Sequence, residues 1–205
     1  MKNAPNFKYH NIITKADRFL FEFWPDGSIP VPISDIIEFD LGLDIVPIRD
    51  LKRNYDIDGV LSKDMRTIWI DQYIMDNVEN RSRFTLAHEV GHMILHREIY
   101  KDLTFSDHIQ WIKLISETRI SQYTWFERQA DDFAGLVLVP PDQLLNVYAA
   151  KIERIIQAEN SLLSADPYTI NRYIAASVAK HFHVSKDVAE IRIRKDRLFP
   201  DKFIR

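Results

Sequence analysis

Residues 88 to 92 read His-Glu-Val-Gly-His, and this pentapeptide constrains the chain more than any other stretch. On a helix, His88 and His92 stand about 40° apart and one turn along, on one face. Two imidazoles so placed can bind one metal ion, and Glu89 between them can reach a water on that ion. Zinc suits imidazole and carboxylate ligands, and Glu89 would then be the general base. Phe84, Leu86, Ala87, Val90, Ile94 and Leu95 surround the pair, so the helix is expected to be mostly core on its other sides.

A catalytic zinc needs a third protein ligand and an open position. Glu127-Arg128-Gln129-Ala130-Asp131 supplies a second helical pair, Glu127 and Asp131, again four residues apart. Glu127 is the expected third ligand. Asp131 is expected to accept the remaining ring N–H of His88 or His92, fixing tautomer and orientation. Trp125, Phe126, Ala130, Phe133, Ala134, Val137 and Leu138 frame this helix as buried, where a carboxylate needs a partner. Asp132 lies about 100° round the helix from Asp131 and is assigned to a solvent or cap face. Two histidines and a carboxylate also hold non-haem iron in oxygenases. The helical spacing, with Glu at the second position, argues for hydrolysis instead. His96 continues the stripe but lies about 12 Å from His88 by helical rise, too far to join the ligand set; it reads as a structural helix-end histidine.

The elements around these motifs give an α+β chain. The spacing of Ile12, Ile13, Ala16, Phe19, Leu20 and Phe23 predicts a helix over 11–23. Ser34 is a candidate N-cap for a short helix that Gly42 would stop. Leu43–Ile48, Gly59–Leu61 and Arg66–Asp71 read as strands, with Lys63, Asp64 and Met65 turning between the last two. Helices are expected from Ser82 to His96, Ser121 to Val139, Asp142 to Gln157, and Asp166-Pro167 to Phe182, with Ser185 capping a last one. The expected organisation is a single domain over 1–205, mainly helical, with a small sheet containing an antiparallel pair ahead of the His88–His92 helix. Its core would span about 12–160 and a C-terminal helical segment about 165–205.

Composition excludes several classes. With no cysteine there is neither a thiolate metal cluster nor a cysteine nucleophile. The net charge of −3 argues against a uniformly basic nucleic-acid coat. No apolar run reaches the 18 or more residues of a membrane span, and MKNAPNFKYHN has no apolar signal core, so a cytoplasmic protein is expected.

The stretch RFTLAHEVGHMILH (Arg83 to His96), followed by ERQADDFAGLVLVP (Glu127 to Pro140), resembles the ImmA/IrrE family of metallopeptidases. IPVPISDIIEFDLGLDIVPI (Ile29 to Ile48) resembles the family's short helix and first strand, and the likeness extends over about residues 12 to 198. The resemblance implies a zincin-like fold, with one zinc per chain on His88, His92 and Glu127, and Glu89 catalytic. It implies a protein substrate, usually a helix-turn-helix repressor encoded nearby and cleaved to switch on a mobile element or a stress response. The stretch between His92 and Glu127, which includes the aromatic-rich Trp111 to Trp125 region, departs from the family pattern and is expected to form a lid or an extra helix.

Two further readings remain beside the peptidase. A zinc-stabilised module could bind and sequester a repressor with little or no proteolysis; Glu89 speaks against it, because a pure binder needs no base there. Ser177 to Lys195 has the spacing of a helix-turn-helix, and residues 180–205 carry eight basic and four acidic side chains. The competing expectation, which is preferred, is that Val178, Phe182, Val184, Val188 and Ile191 pack this pair against the protein and that it does not bind DNA.

Overall fold

In a computed structural model, the structure describes residues 7–101, 110, 112, 124–158, 166–200 and 203. Of the aromatic-rich Trp111 to Trp125 region, all but Ile112, Thr124 and Trp125 lies outside them. Two compact units divide the chain, residues 1–137 and 138–205.

In the first unit, α1 (Tyr9–Phe23) buries Ile12, Ala16 and Phe19 along one face, the spacing of a helix laid on a core. Phe19 meets Phe133 edge to face at 5.6 Å between ring centroids. The next helical segment, α2 (Ile33–Asp35), runs into a π-helical turn at Ile36–Asp40. Pro32 rather than Ser34 is its N-cap, because the chain is already helical at Ile33. Gly42, with φ of +63°, ends the segment as expected.

Strands β1 (Asp44–Ile48), β2 (Gly59–Leu61) and β3 (Thr67–Asp71) form a mixed sheet in the order β1-β3-β2. β1 runs parallel to β3, pairing Asp44 with Thr67, and β2 runs antiparallel to it, pairing Gly59 with Ile70. The turn between β2 and β3 is closed by side chains: Ser62 Oγ donates to Asp64 at 2.6 Å and accepts from Thr67 N–H at 3.0 Å. The short helix α3 (Leu51–Tyr55) follows β1. Asp71, 3% exposed, ends β3 and caps α4 (Gln72–Asn77) by accepting from Ile74 N–H; its other oxygen accepts from Lys52 N–H.

Helix α5 (Glu79–Lys101) starts three residues before the expected Ser82, directly after Val78, whose non-helical backbone ends α4. It is buried on every side from Thr85 to His92. It continues past His96, whose backbone (φ −122°, ψ 15°) leaves helical geometry and kinks it there. Helix α6 (Thr124–Leu138) carries the second motif.

In the second unit, Pro141 opens α7 (Pro141–Gln157), which buries Leu144, Tyr148, Ile152 and Ile155. Asp166 caps α8 (Pro167–Phe182) by accepting from Tyr168 and Thr169 N–H, and Ser185 caps α9 (Lys186–Lys195) by accepting from Val188 N–H. Phe182 and Val184 are buried around the turn between α8 and α9, but Ile191, expected inside, is 41% exposed. The buried face of α9 is made by Ala189, Arg192 and Ile193. Arg192 is satisfied by Asp196 at 2.8 Å and the Val139 carbonyl at 3.4 Å. On the outer side, Glu190 approaches Lys186 at 3.5 Å and Arg172 at 3.8 Å, so one carboxylate is shared by two cations. No described helix is long and apolar enough to cross a membrane.

Candidate metal centre

The centre is assembled where α5, α6 and the end of β2 come together. Gly91, inside the first motif, makes the helix crossing possible: a Cβ there would lie 3.1 Å from both Cα and O of Ala130 and 3.3 Å from Cβ of Phe133. A glycine in mid-helix costs about 1 kcal/mol relative to alanine; here it allows backbone to meet backbone. Gly59 does the same on the strand side, where an added Cβ would sit 2.5 Å from Thr85 Cγ2.

With the elements this close, His88 Nε2 and His92 Nε2 face each other at 2.9 Å. Glu127 lies beside both, 3.3 Å from His88 Nε2 and 3.6 Å from His92 Nε2. One donor atom from each of the three lies within 4.8 Å of the others, a cluster able to hold a metal ion. Two nitrogens bound to one tetrahedral zinc stand roughly 3.3 Å apart, so small side-chain adjustments fit the set to that ion. His88 and His92 are buried, and the Glu127 side chain is 24% exposed toward a cleft of about 250 Å³. Lys52, Asp56, Asp58, Phe84, Glu89 and Asp131 also line that cleft.

Asp131 accepts from His88 Nδ1 at 2.9 Å, so of the two histidines it serves His88. Its side chain is 53% exposed, whereas Asp132 is half-buried, the reverse of the expected order. The burial that demands this hydrogen bond is therefore that of His88. Burial pulls the His88 imidazole toward neutrality. The Asp131 and Glu127 hydrogen bonds and the charges of Glu127 and Glu89 outweigh it, and the pKa is pushed up to about 10.

Glu89 is 1% exposed and accepts from the Leu61 N–H of β2 at 2.7 Å. A charge-assisted bond of this length orients the carboxylate. Sequence reasoning singled out Glu89 but not the strand amide that holds it; no side-chain pattern marks a backbone donor.

His96 is fully buried and stacks on Phe126 at 4.0 Å. Its Nδ1 lies 3.0 Å from Nδ1 of His92, on the opposite side of that ring from Glu127, and its Nε2 lies 3.1 Å from Gln129 Oε1. Burial lowers its pKa to about 4, so it is neutral at pH 7. It stays out of the ligand cluster, as expected, but it is part of the site's surroundings rather than a plain helix-end residue. Gln129 was overlooked in the sequence, although a glutamine between two buried apolar positions of α6 was the available signal. His10, His181 and His183 are exposed and take no part in the cluster.

A search of curated protein sequences finds no match. Among solved structures, a Mycobacterium tuberculosis transcriptional regulator has a similar fold, with a TM-score of 0.50 at 14% sequence identity. The match covers 88% of this chain and 45% of that one, so this chain spans under half of that protein's length. The family model Peptidase_M78, IrrE N-terminal-like domain, matches residues 40–194, which include both helical motifs and the strands ahead of them. The chain belongs to this peptidase family.

Proposed function

We propose that the protein is a zinc-dependent endopeptidase whose substrate is another protein. The observation that carries the reading is the convergence of His88, His92 and Glu127 beside a cleft whose wall holds His88, Glu127 and a general-base candidate, Glu89. The donor set, two imidazoles and one carboxylate, is that of a catalytic zinc with a position left open. Zinc bound there would supply Lewis acidity, lowering the pKa of a water toward about 7 and polarising a carbonyl.

The chain's own residues perform the proton work. Glu89, aimed by Leu61 N–H, takes a proton from the attacking water as its oxygen bonds to the peptide carbonyl carbon. The same carboxyl then gives that proton to the leaving nitrogen as the C–N bond breaks. Asp131 keeps the Nδ1 proton of His88 in place, which leaves Nε2 turned toward the centre.

For the substrate, a helix-turn-helix repressor encoded near this protein is the proposal, on the strength of the family likeness. That a fold neighbour is a transcriptional regulator is in keeping with it. The decisive experiment incubates the purified chain with neighbouring repressors, beside a Glu89→Gln variant. Specific cleavage by the wild type, lost in the variant while about one zinc per chain is retained, supports the reading. Equal cleavage by both proteins would refute it. Relief of repression with the repressor at full length would favour a sequestering module instead.

A further inference from the structure

Beyond the ligands runs a chain of hydrogen bonds whose direction is decided far from the centre. His92 Nδ1 faces His96 Nδ1 at 3.0 Å, His96 Nε2 faces Gln129 Oε1 at 3.1 Å, and Gln129 Nε2 donates to the Phe7 carbonyl at 3.3 Å. A carbonyl only accepts. Phe7 therefore draws the amide NH2 of Gln129 toward itself and turns the amide oxygen toward His96. That oxygen also only accepts, so His96 carries its proton on Nε2 and presents a lone pair at Nδ1. His92 must then donate from Nδ1, which leaves the lone pair of its Nε2 facing His88 and Glu127.

The opposite direction fails at the far end. Were His92 protonated on Nε2, His96 would donate from Nδ1 and accept at Nε2. Gln129 would have to turn its NH2 to His96 and its oxygen to the Phe7 carbonyl, setting two acceptors against each other. On the other side of the centre, Asp131 likewise accepts only, and it holds the His88 proton on Nδ1. Both arms thus end in acceptors, and both turn an Nε2 toward the same point, where the two nitrogens stand 2.9 Å apart.

We infer that His96 and Gln129 are positioning residues for the metal centre, an arm anchored on the Phe7 carbonyl that holds His92 in the tautomer able to ligate through Nε2. This rests on the zinc reading above for its purpose, but not for its geometry. Removing the outer partner of a ligating histidine typically weakens metal binding about 10–100-fold.

The test records nitrogen-15 imidazole spectra of the metal-free full chain, and zinc affinity by chelator competition. The proteins are the wild type, His96→Phe and Gln129→Leu. Phenylalanine keeps the stacking on Phe126. The expected result is an Nδ1-protonated His92 in the wild type. His96→Phe and Gln129→Leu should show a substantial Nε2-protonated fraction, with zinc affinity lowered about 10–100-fold in His96→Phe. An Nε2-protonated His92 in the wild type, or an unchanged tautomer in both apolar variants, overturns the inference. A wild type that binds no zinc defeats the metal reading alone, and the spectra still decide the arm.

Discussion

The Leu61 amide and the Glu89 carboxylate form a 2.7 Å hydrogen bond that ties the end of β2 to the middle of α5. The bond gives the general-base candidate a fixed direction, and it gives a buried strand N–H its acceptor. Glutamine at position 89 can still accept from Leu61 through its amide oxygen; alanine cannot. Leaving a buried donor without its partner costs about 1–3 kcal/mol. Glu89→Ala should therefore unfold at lower denaturant than Glu89→Gln by about that amount, with both inactive. Equal stabilities would mean the bond contributes nothing.

Metal binding should release a proton from His88. Its pKa, pushed up to about 10, keeps it protonated at neutral pH in the metal-free chain, and a ligand nitrogen must lose that proton. Calorimetry of zinc binding at pH 7.5, in buffers of different ionisation enthalpy, should show about one proton released per zinc by this group. The release should vanish as pH rises through about 10. The sign for stability follows: a raised pKa stabilises the metal-free fold fully below the ordinary value near 6.5, and this contribution is lost as pH rises through about 10. Asp131→Ala removes one of the groups that raise this pKa, so it should move both effects to lower pH. Proton release in that variant with the wild-type pH profile would contradict the assignment.

Gly91 predicts the effect of the smallest substitution at the helix crossing. Alanine improves helix propensity by about 0.8–1 kcal/mol. Its methyl would press on Ala130 backbone at 3.1 Å, which cannot rotate away, and overpacking of this kind costs about 1–3 kcal/mol. The contact should win. Gly91→Ala should lower the melting temperature and also weaken zinc binding, because separating α5 from α6 draws Glu127 away from the two histidines. A more stable variant with unchanged zinc affinity would show that the crossing yields freely.

The parts of the site that sequence made legible are those written in spacing. His88, Glu89 and His92 are placed by one helix, and Glu127 with Asp131 by another, so periodicity alone groups them. What spacing does not carry is how closely the helices approach, which donor orients Glu89, or which of two histidines Asp131 serves. Gly59, Gly91, the Leu61 amide and the Phe7 carbonyl decide those points, and each acts through backbone rather than through a recognisable side chain. The π turn at Ile36–Asp40 and the continuation of α5 beyond His96 were hidden for a related reason. Both preserve the helical apolar pattern while changing its geometry.

The approach of β2 to α5 yields a prediction that a pair of substitutions can isolate. At Gly59, a methyl would stand 2.5 Å from Thr85 Cγ2 and 3.1 Å from the Trp69 carbonyl. The first contact is the shorter and belongs to a side chain; the second is backbone within the sheet. Gly59→Ala should lift β2 from α5, lengthen the Leu61–Glu89 bond, and lower both stability and turnover. Thr85→Ser deletes the clashing methyl and keeps the hydroxyl. Alone it should cost roughly 1 kcal/mol, the order expected for a buried methyl group. Combined with Gly59→Ala it should recover much of the lost turnover, so the two changes couple by about 0.5–3 kcal/mol, as contacting residues do. Recovery should be incomplete, because the Trp69 carbonyl remains. Strict additivity in the four-protein cycle, measured by denaturation and by turnover together, would mean that Thr85 is not what glycine accommodates and that β2 is positioned by its pairing with β3 alone.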